Sequence, residues 1–286
     1  MYSVKVINRR GQELEITQRE DRFQIISIKG LSQPSAKINL SGLVGVDGAR
    51  YNSGKLNTRN IVLMLKITGD VEANRQDLYI YFATKEICRF YFRNGARDVW
   101  IDGYVENCEV DLFANQEIMQ ISIICPDPYF KGVDLLVDDI SKTIAAFTFP
   151  FSIDIGEPVV ISELNVTAAG VVFNASESDS GMLLRAFFTG HISRIRFIDT
   201  DTAEFFEVVY PFMAGDELDV NTVAGEKSVF LIREAERKNL IGYATAGSTF
   251  FQLLTGENHI SYIADEGSGD ALVMLRVEHR TLYRGV

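Results

Sequence analysis

The strongest constraint on this chain is the spacing of its apolar residues, which alternate with polar ones in short runs cut by Gly, Asn, Asp and Ser. A period of two is the signature of half-buried strands, and the interruptions are those that turns require. Val4, Val6 and residues 13–16 flank Asn8-Arg-Arg-Gly-Gln12, which reads as a hairpin with Gly11 at a position of positive φ. Residues 23–29 alternate well enough to join it. Between Gly42 and Gly54 an Asp47-Gly48 turn signal sits between apolar flanks and predicts a projecting hairpin or arm. Residues 61–67 are rich in β-branched residues and read as a central strand. Residues 89–93 and 99–105 flank Asn94-Gly95, the pair that favours a type I′ turn, and residues 110–118 lead into a further strand at 121–124.

One segment breaks this rhythm. After Asp70, a capping residue, Glu72 and Asp77 lie near the positive end of a helix, and Leu78, Tyr79, Phe82, Ala83 and Ile87 are expected on one face. Ile80 and Tyr81 interrupt that stripe, so the helix is expected to be buried on two sides or to meet another subunit.

Charge divides the 286 residues unevenly. Residues 1–130 balance 16 basic against 16 acidic side chains, so the whole net charge of −11 lies beyond them. The shift begins at Cys125-Pro-Asp-Pro-Tyr-Phe130, whose prolines cannot donate to a ladder and so end a strand. The expected division is a domain over 1–130, a linker over 131–144 that includes the acidic Asp138-Asp139, and a second domain over 145–286. The second half offers no helix. Nine candidate strands, at 159–163, 170–174, 183–188, 192–198, 205–209, 228–232, 249–254, 258–263 and 271–277, follow the spacing of an antiparallel sandwich. A surface this acidic repels phosphate backbones, which argues against nucleic-acid binding by this half. No apolar stretch reaches the ~18 residues of a membrane span, and the first residues read as a strand and not as a targeting signal.

The search for reaction chemistry returns structural readings. Cys88, Cys108 and Cys125 form no C-x-x-C pair, and His191, His259 and His279 lack metal-pair spacing. There is no G-x-S-x-G, no G-x-G-x-x-G and no P-loop. Asp199, Asp201 and the run Asp265-Glu-Gly-Ser-Gly-Asp270 lack EF-hand spacing, and Glu204 and Glu207 point to opposite faces of a strand. No catalytic residue, cofactor or metal site is therefore expected. Trp100 is the chain's one tryptophan and reads as a core or interface anchor. Tyr210, Tyr243, Tyr262 and Tyr283 keep a saccharide-binding alternative open.

The first 130 residues resemble the distal tail protein family of long-tailed bacteriophages. The ordered features are the Gly45-Val-Asp-Gly48 turn and Gly54, Arg59-Asn-Ile61, Arg75-Gln-Asp-Leu78 with Phe82, Asp102-Gly-Tyr-Val105, Asp111-Leu-Phe113, and Gln120-Ile-Ser-Ile123 running into Cys125-Pro-Asp-Pro-Tyr-Phe130. The resemblance implies a mainly β protein: an α+β first domain with one helix on antiparallel sheets, and a galectin-like antiparallel β-sandwich. It also implies a homo-hexameric ring at the virion tail tip, made in the bacterial host cytoplasm. Such a ring would lie between the tail tube protein and a tail-associated lysin or fibre hub, and would pass DNA through its channel without specific binding. Val44, Val46, Tyr51, Ile80, Tyr81 and Trp100 are the candidate subunit-interface residues. The alternatives are a carbohydrate-binding module for host cell-wall saccharide and a hydrolase of wall polymers.

Overall fold

A computed structural model describes residues 3–17, 22–42, 44–45, 47–112, 116–140, 142–145, 162–165, 169–267 and 269–286. Among the described residues the fold is mainly β with one α-helix, and every strand pairing is antiparallel. The chain divides into two compact units: Met1–Val133 with Leu282–Val286, and Asp134–Thr281.

The first unit runs β1 (Ser3–Asn8), β2 (Glu13–Thr17), β3 (Phe23–Lys29), β4 (Ala36–Gly42), β5 (Ala49–Leu56), β6 (Arg59–Ile67), α1 (Val71–Tyr81), β7 (Ile87–Arg93), β8 (Asp98–Val110), β9 (Ile118–Cys125) and β10 (Phe130–Gly132). Its main sheet has the order β2-β1-β7-β8-β9-β6-β3. The strand at 61–67 is thus next to the edge rather than central. Period two buries one face: Val4 and Val6, Ile61, Leu63 and Leu65, Phe90 and Phe92, and Ile121 and Ile123 all point into one core. Each such side chain stabilises the unit by about 1.5–3 kcal/mol. Strand β8 serves two partners along one side, β9 through Tyr104–Val110 and β10 through Val99 and Trp100. Gly103 sits inside this strand because a Cβ there would lie 2.5 Å from Ile123 Cγ2 and 2.9 Å from Cys125 Sγ.

Helix α1 begins as its sequence dictates, with the Asp70 side chain accepting a bond from the Ala73 amide at 3.2 Å. It inserts Leu78 into the core, and Phe82 just beyond it stacks on Phe90. The helix stops at Tyr81, so Ile87 belongs to β7 and not to the helical face, and Tyr79 is exposed. The 94–97 connection also departs from expectation. Gly95 does not take positive φ, and Asn94 Oδ1 instead accepts the Ala96 and Arg97 amides at 2.7 Å each, which builds a four-residue loop in place of a type I′ turn.

The last residues return to this unit. After the second unit the chain forms its final strand, Leu282–Tyr283, which pairs with β10, and the Val286 amide donates to Leu31 O at 3.0 Å. Arg97 stacks over Tyr283 at 4.5 Å. The region 131–144, expected as a linker, therefore holds strands in its described residues, and the second unit stops short of the C-terminus. Deleting residues 282–286 is expected to lower the melting temperature of the first unit by several degrees. The fluorescence of Trp100 reads that unit alone, and an unmoved transition would contradict the assignment.

The second unit contains β11 (Leu136–Asp139), β12 (Lys142–Ala145), β13 (Ser162–Asn165), β14 (Ala169–Asn174), β15 (Met182–Phe188), β16 (Ile192–Asp199), β17 (Phe205–Phe212), β18 (Glu217–Asn221), β19 (Ser228–Arg233), β20 (Glu236–Asn239), β21 (Gly256–Ala264) and β22 (Val273–His279). A six-stranded sheet of order β11-β22-β15-β18-β19-β20 packs on a four-stranded sheet of order β14-β21-β16-β17, and β12 pairs with β13. Their inner faces share one core, in which Phe188 and Phe212 stack at 4.3 Å across the two sheets. The expected strand at 249–254 is irregular chain with a single bridge from Leu253 to Ser180, and the strand expected at 271–277 begins only at Val273. Of the strand expected at 159–163, residues 159–161 lie outside the described residues. Asp138-Asp139 is not a linker either: it lies in β11 against β22, where Asp139 Oδ1 accepts from Arg276 Nε at 2.8 Å.

His279 ends β22 almost wholly buried, with Nε2 3.4 Å from Asp138 Oδ2. Burial pulls its pKa below the ordinary 6.5 against the opposing pull of Asp138. The unfolded chain then binds a proton that the folded chain resists, so the second unit loses stability as pH falls below about 6.5. Melting between pH 7 and 5 checks this: His279→Phe should show a shallower decline than the wild type, and parallel curves would contradict it.

Candidate assembly surfaces

The arm predicted at 42–54 is larger than its turn signal indicated. Strands β4 and β5 form a two-stranded sheet of their own from Ala36 to Leu56, with a bulge between Asn39 and Leu40. Polar side chains tie the two strands together, Asn39 Nδ2 to Ser53 Oγ at 2.9 Å and Asn52 Nδ2 to Ser41 Oγ at 2.5 Å. Every residue of β4 is exposed, as is every residue of β5 except Leu56. Tyr51 is 61% exposed and Leu40 58%, and Val44 near the tip is fully exposed. Gly54 makes room for the tyrosine, since a Cβ there would lie 3.1 Å from Tyr51 Oη and 3.3 Å from Ile38 Cδ1. Val46 lies outside the described residues. An isolated two-stranded hairpin is marginally stable in water and presents unpaired edges. Large apolar groups exposed on an element with no core of its own are the kind of surface that marks interaction sites.

Ile80 and Tyr81 separate in role. Ile80 is 48% exposed, whereas Tyr81 is half-buried and packs on the core of the first unit. Beside Ile80 opens a groove of about 240 Å³, lined by Arg9 and Arg10 of the β1–β2 turn, by Tyr79 and Ile80, and by Ala83 and Glu86. Trp100 is already engaged by its own chain. It is half-buried, the Arg89 guanidinium lies 4.0 Å over its ring and Lys131 Nζ 5.2 Å from it. Asp102 holds Arg89 through two bonds of 2.7 and 2.9 Å. Thus Val44 and Tyr51 share the arm, Ile80 and Tyr81 share the end of α1, and Trp100 stands on β8.

The titratable groups of the second unit do structural work. Asp265 accepts the Ser193 and Arg194 amides, Asp270 the Ala264 amide, and Asp199 the amides of Asp201 and Thr202. Glu207 is buried against Arg196 at 2.6 Å. Asp201 takes the His259 backbone and ring N–H groups, which lowers its pKa. Burial pushes the thiols of Cys88 and Cys108 up to about 11 and that of Cys125 to about 12, which leaves them protonated and weakly nucleophilic at neutral pH. Among the described residues no three His, Cys, Asp or Glu side chains come together as a metal site. Of the four tyrosines, Tyr210 and Tyr243 meet edge to face at 5.1 Å with Lys238 over both rings. Tyr262 is buried with its hydroxyl on Val273 O, and Tyr283 belongs to the first unit.

Sequence reasoning named Arg59 only within the Arg59-Asn-Ile61 feature and gave it no role of its own. It is buried, and its guanidinium donates to four carbonyls: Pro128 O at 2.8 Å, Gly30 O at 2.5 Å, Ser32 O at 2.6 Å and Arg284 O at 2.7 Å. It also lies 4.4 Å over the Phe130 ring. Desolvation lowers its pKa, opposed by Cys125 and Asp127. This one side chain clamps the start of β6, the 30–32 and 128–130 segments and the returning C-terminus. An arginine opening an apolar strand was the available signal.

Comparison with known proteins bears on both units. Residues 176–279 match the family described as siphovirus-type tail component, C-terminal domain. No curated protein sequence matches. In fold, the chain is similar to the SPP1 Dit (gp 19.1) protein, described as a paradigm of hub adsorption apparatus in Gram-positive infecting phages. The TM-score is 0.69 at 15% identity, over 97% of this chain and 98% of that one. It is also similar to chains of the phage P2 baseplate in its activated conformation with Ca and with Sr. These give TM-scores of 0.53 and 0.54 at 10% and 11% identity, with the same coverage. Residues 176–279 thus carry the sequence signature of a siphovirus-type tail component C-terminal domain, and the whole chain has the fold of the SPP1 Dit protein.

Proposed function

We propose that this chain forms a homo-hexameric ring that joins the tail tube protein to a tail-associated lysin or fibre hub and supports host attachment. The observation that carries this reading is the arm, a hairpin from Ala36 to Leu56 whose apolar side chains Ile38, Leu40, Val44 and Tyr51 have no core of their own. A closed ring requires a head-to-tail contact repeated by rotation, and a projecting hairpin supplies one half of it. The likeness to the SPP1 hub protein supports the same reading. The role is structural and not enzymatic, and the protein is made in the host cytoplasm before it enters the virion. The charge balance of the first 130 residues suits a channel that passes DNA without retaining it. Electron microscopy of the purified full chain tests the proposal: sixfold rings with a central channel support it, and open chains or particles of other symmetry overturn it.

A second reading, contact with wall saccharide by the second unit, rests on the Tyr210–Tyr243 corner, where two rings and the Lys238 ammonium gather on the surface. Sedimentation of the full chain with purified Gram-positive cell walls tests it. Loss of binding in Tyr243→Ala favours a saccharide role, and absence of binding by the wild type removes it.

A further inference from the structure

We propose that the groove at the end of α1 receives the arm tip of a second copy of this chain, an inference that rests on the ring reading and names its contact. The groove holds about 240 Å³, below the roughly 300–1,000 Å³ of small-molecule sites, so it suits one or two side chains and not a metabolite. Its lining offers Tyr79 and Ile80, both exposed. Its lining also carries a surplus of positive charge: Arg9 lies 3.4 Å from Glu86, while Arg10 has no carboxylate partner among the described residues.

The arm tip has the complementary chemistry. Strand pairing ends at Gly42 and Ala49, and Val44, Gly45, Asp47 and Gly48 are the described residues between them. Gly45 and Gly48 take positive φ, and the loop presents Val44 wholly exposed and the exposed carboxylate of Asp47. Val44 supplies the apolar group that Tyr79 and Ile80 lack, and Asp47 supplies the charge that Arg10 lacks. Groove and tip are different elements of one unit, so the pairing is heterologous when each copy gives its tip to one neighbour and receives the tip of another. Each copy gives one tip and receives one, which is the arrangement that propagates around a ring.

A charge swap in the full-length protein tests the pairing, with mass read by light scattering across a concentration series and folding checked by the Trp100 transition. Asp47→Arg alone, and Arg9→Glu with Arg10→Glu, are each expected to weaken association about tenfold or more. The protein that combines all three changes is expected to regain assembly. A second variant, Val44→Cys with Ile80→Cys, is expected to give a ladder of disulfide-linked copies on oxidation. Hexamers unaffected by either reversal, weakening that the combined protein does not restore, or the absence of a ladder would overturn the pairing while leaving the ring intact. A wild type that stays monomeric at every concentration would overturn both.

Discussion

Replacing Arg59 by methionine is expected to cost the first unit on the order of 3–5 kcal/mol, because four part-buried carbonyls lose their shared buried donor at once. Methionine fills much of the same space, so the loss reports hydrogen bonds and not a cavity. Against a domain stability of about 5–15 kcal/mol, this is enough to unfold a large fraction of the unit at elevated temperature. Arg59→Lys keeps the charge but not the planar fork that reaches separate segments, and it should fall between methionine and wild type. Urea unfolding followed by Trp100 fluorescence measures the effect on this unit separately from the other. A midpoint unchanged in Arg59→Met would mean that the clamp contributes nothing to folding.

The second large effect is on assembly. Leu40→Asp with Tyr51→Asp places two carboxylates on the exposed arm, where they cost the folded monomer little because neither side chain packs into the core. If the arm is buried against a neighbour, the pair forfeits the burial of two large side chains and desolvates two charges. Association should then weaken about a hundredfold or more. Sedimentation velocity distinguishes the outcomes, since the variant should run as a monomer at concentrations where the wild type is assembled. Equal oligomer mass in both would remove the arm from the interface.

How far these features could be read from the sequence depends on which force sets each one. Hydrophobic alternation made β1, β2, β3, β6, β7, β15 and β16 legible, and Asp70 marked the start of α1 because its carboxylate caps the helix. Strand β18 was not among the expected strands because Glu217 and Asp219 leave only two apolar residues in five, whereas Arg185 reaches Asp219 at 2.9 Å and Glu217 at 2.9 Å across the sheet and lets both lie in a strand. Residues 249–254 misled in the opposite way. Phe251 and Leu253 are buried as alternation requires, but Gln252 donates to Thr222 O and not to a neighbouring strand. The full arm was invisible because its strands bury nothing in their own chain, so period two had no core to record. The return of residues 282–286 to the first unit is a long-range pairing, and no local pattern encodes it. Among the candidate interface residues, Ile80 and Tyr81 stood out equally as departures from the helical stripe. Only the structure separates an exposed isoleucine from a tyrosine resting on the core.

The ring itself is the central claim, and the mass of the native full-length protein tests it most directly. Light scattering after size exclusion, over a wide concentration range, should give a species close to six times 32.1 kDa that persists on dilution because a closed ring has no free ends. A protein that remains at 32.1 kDa throughout, or that grows without limit as concentration rises, would contradict the account.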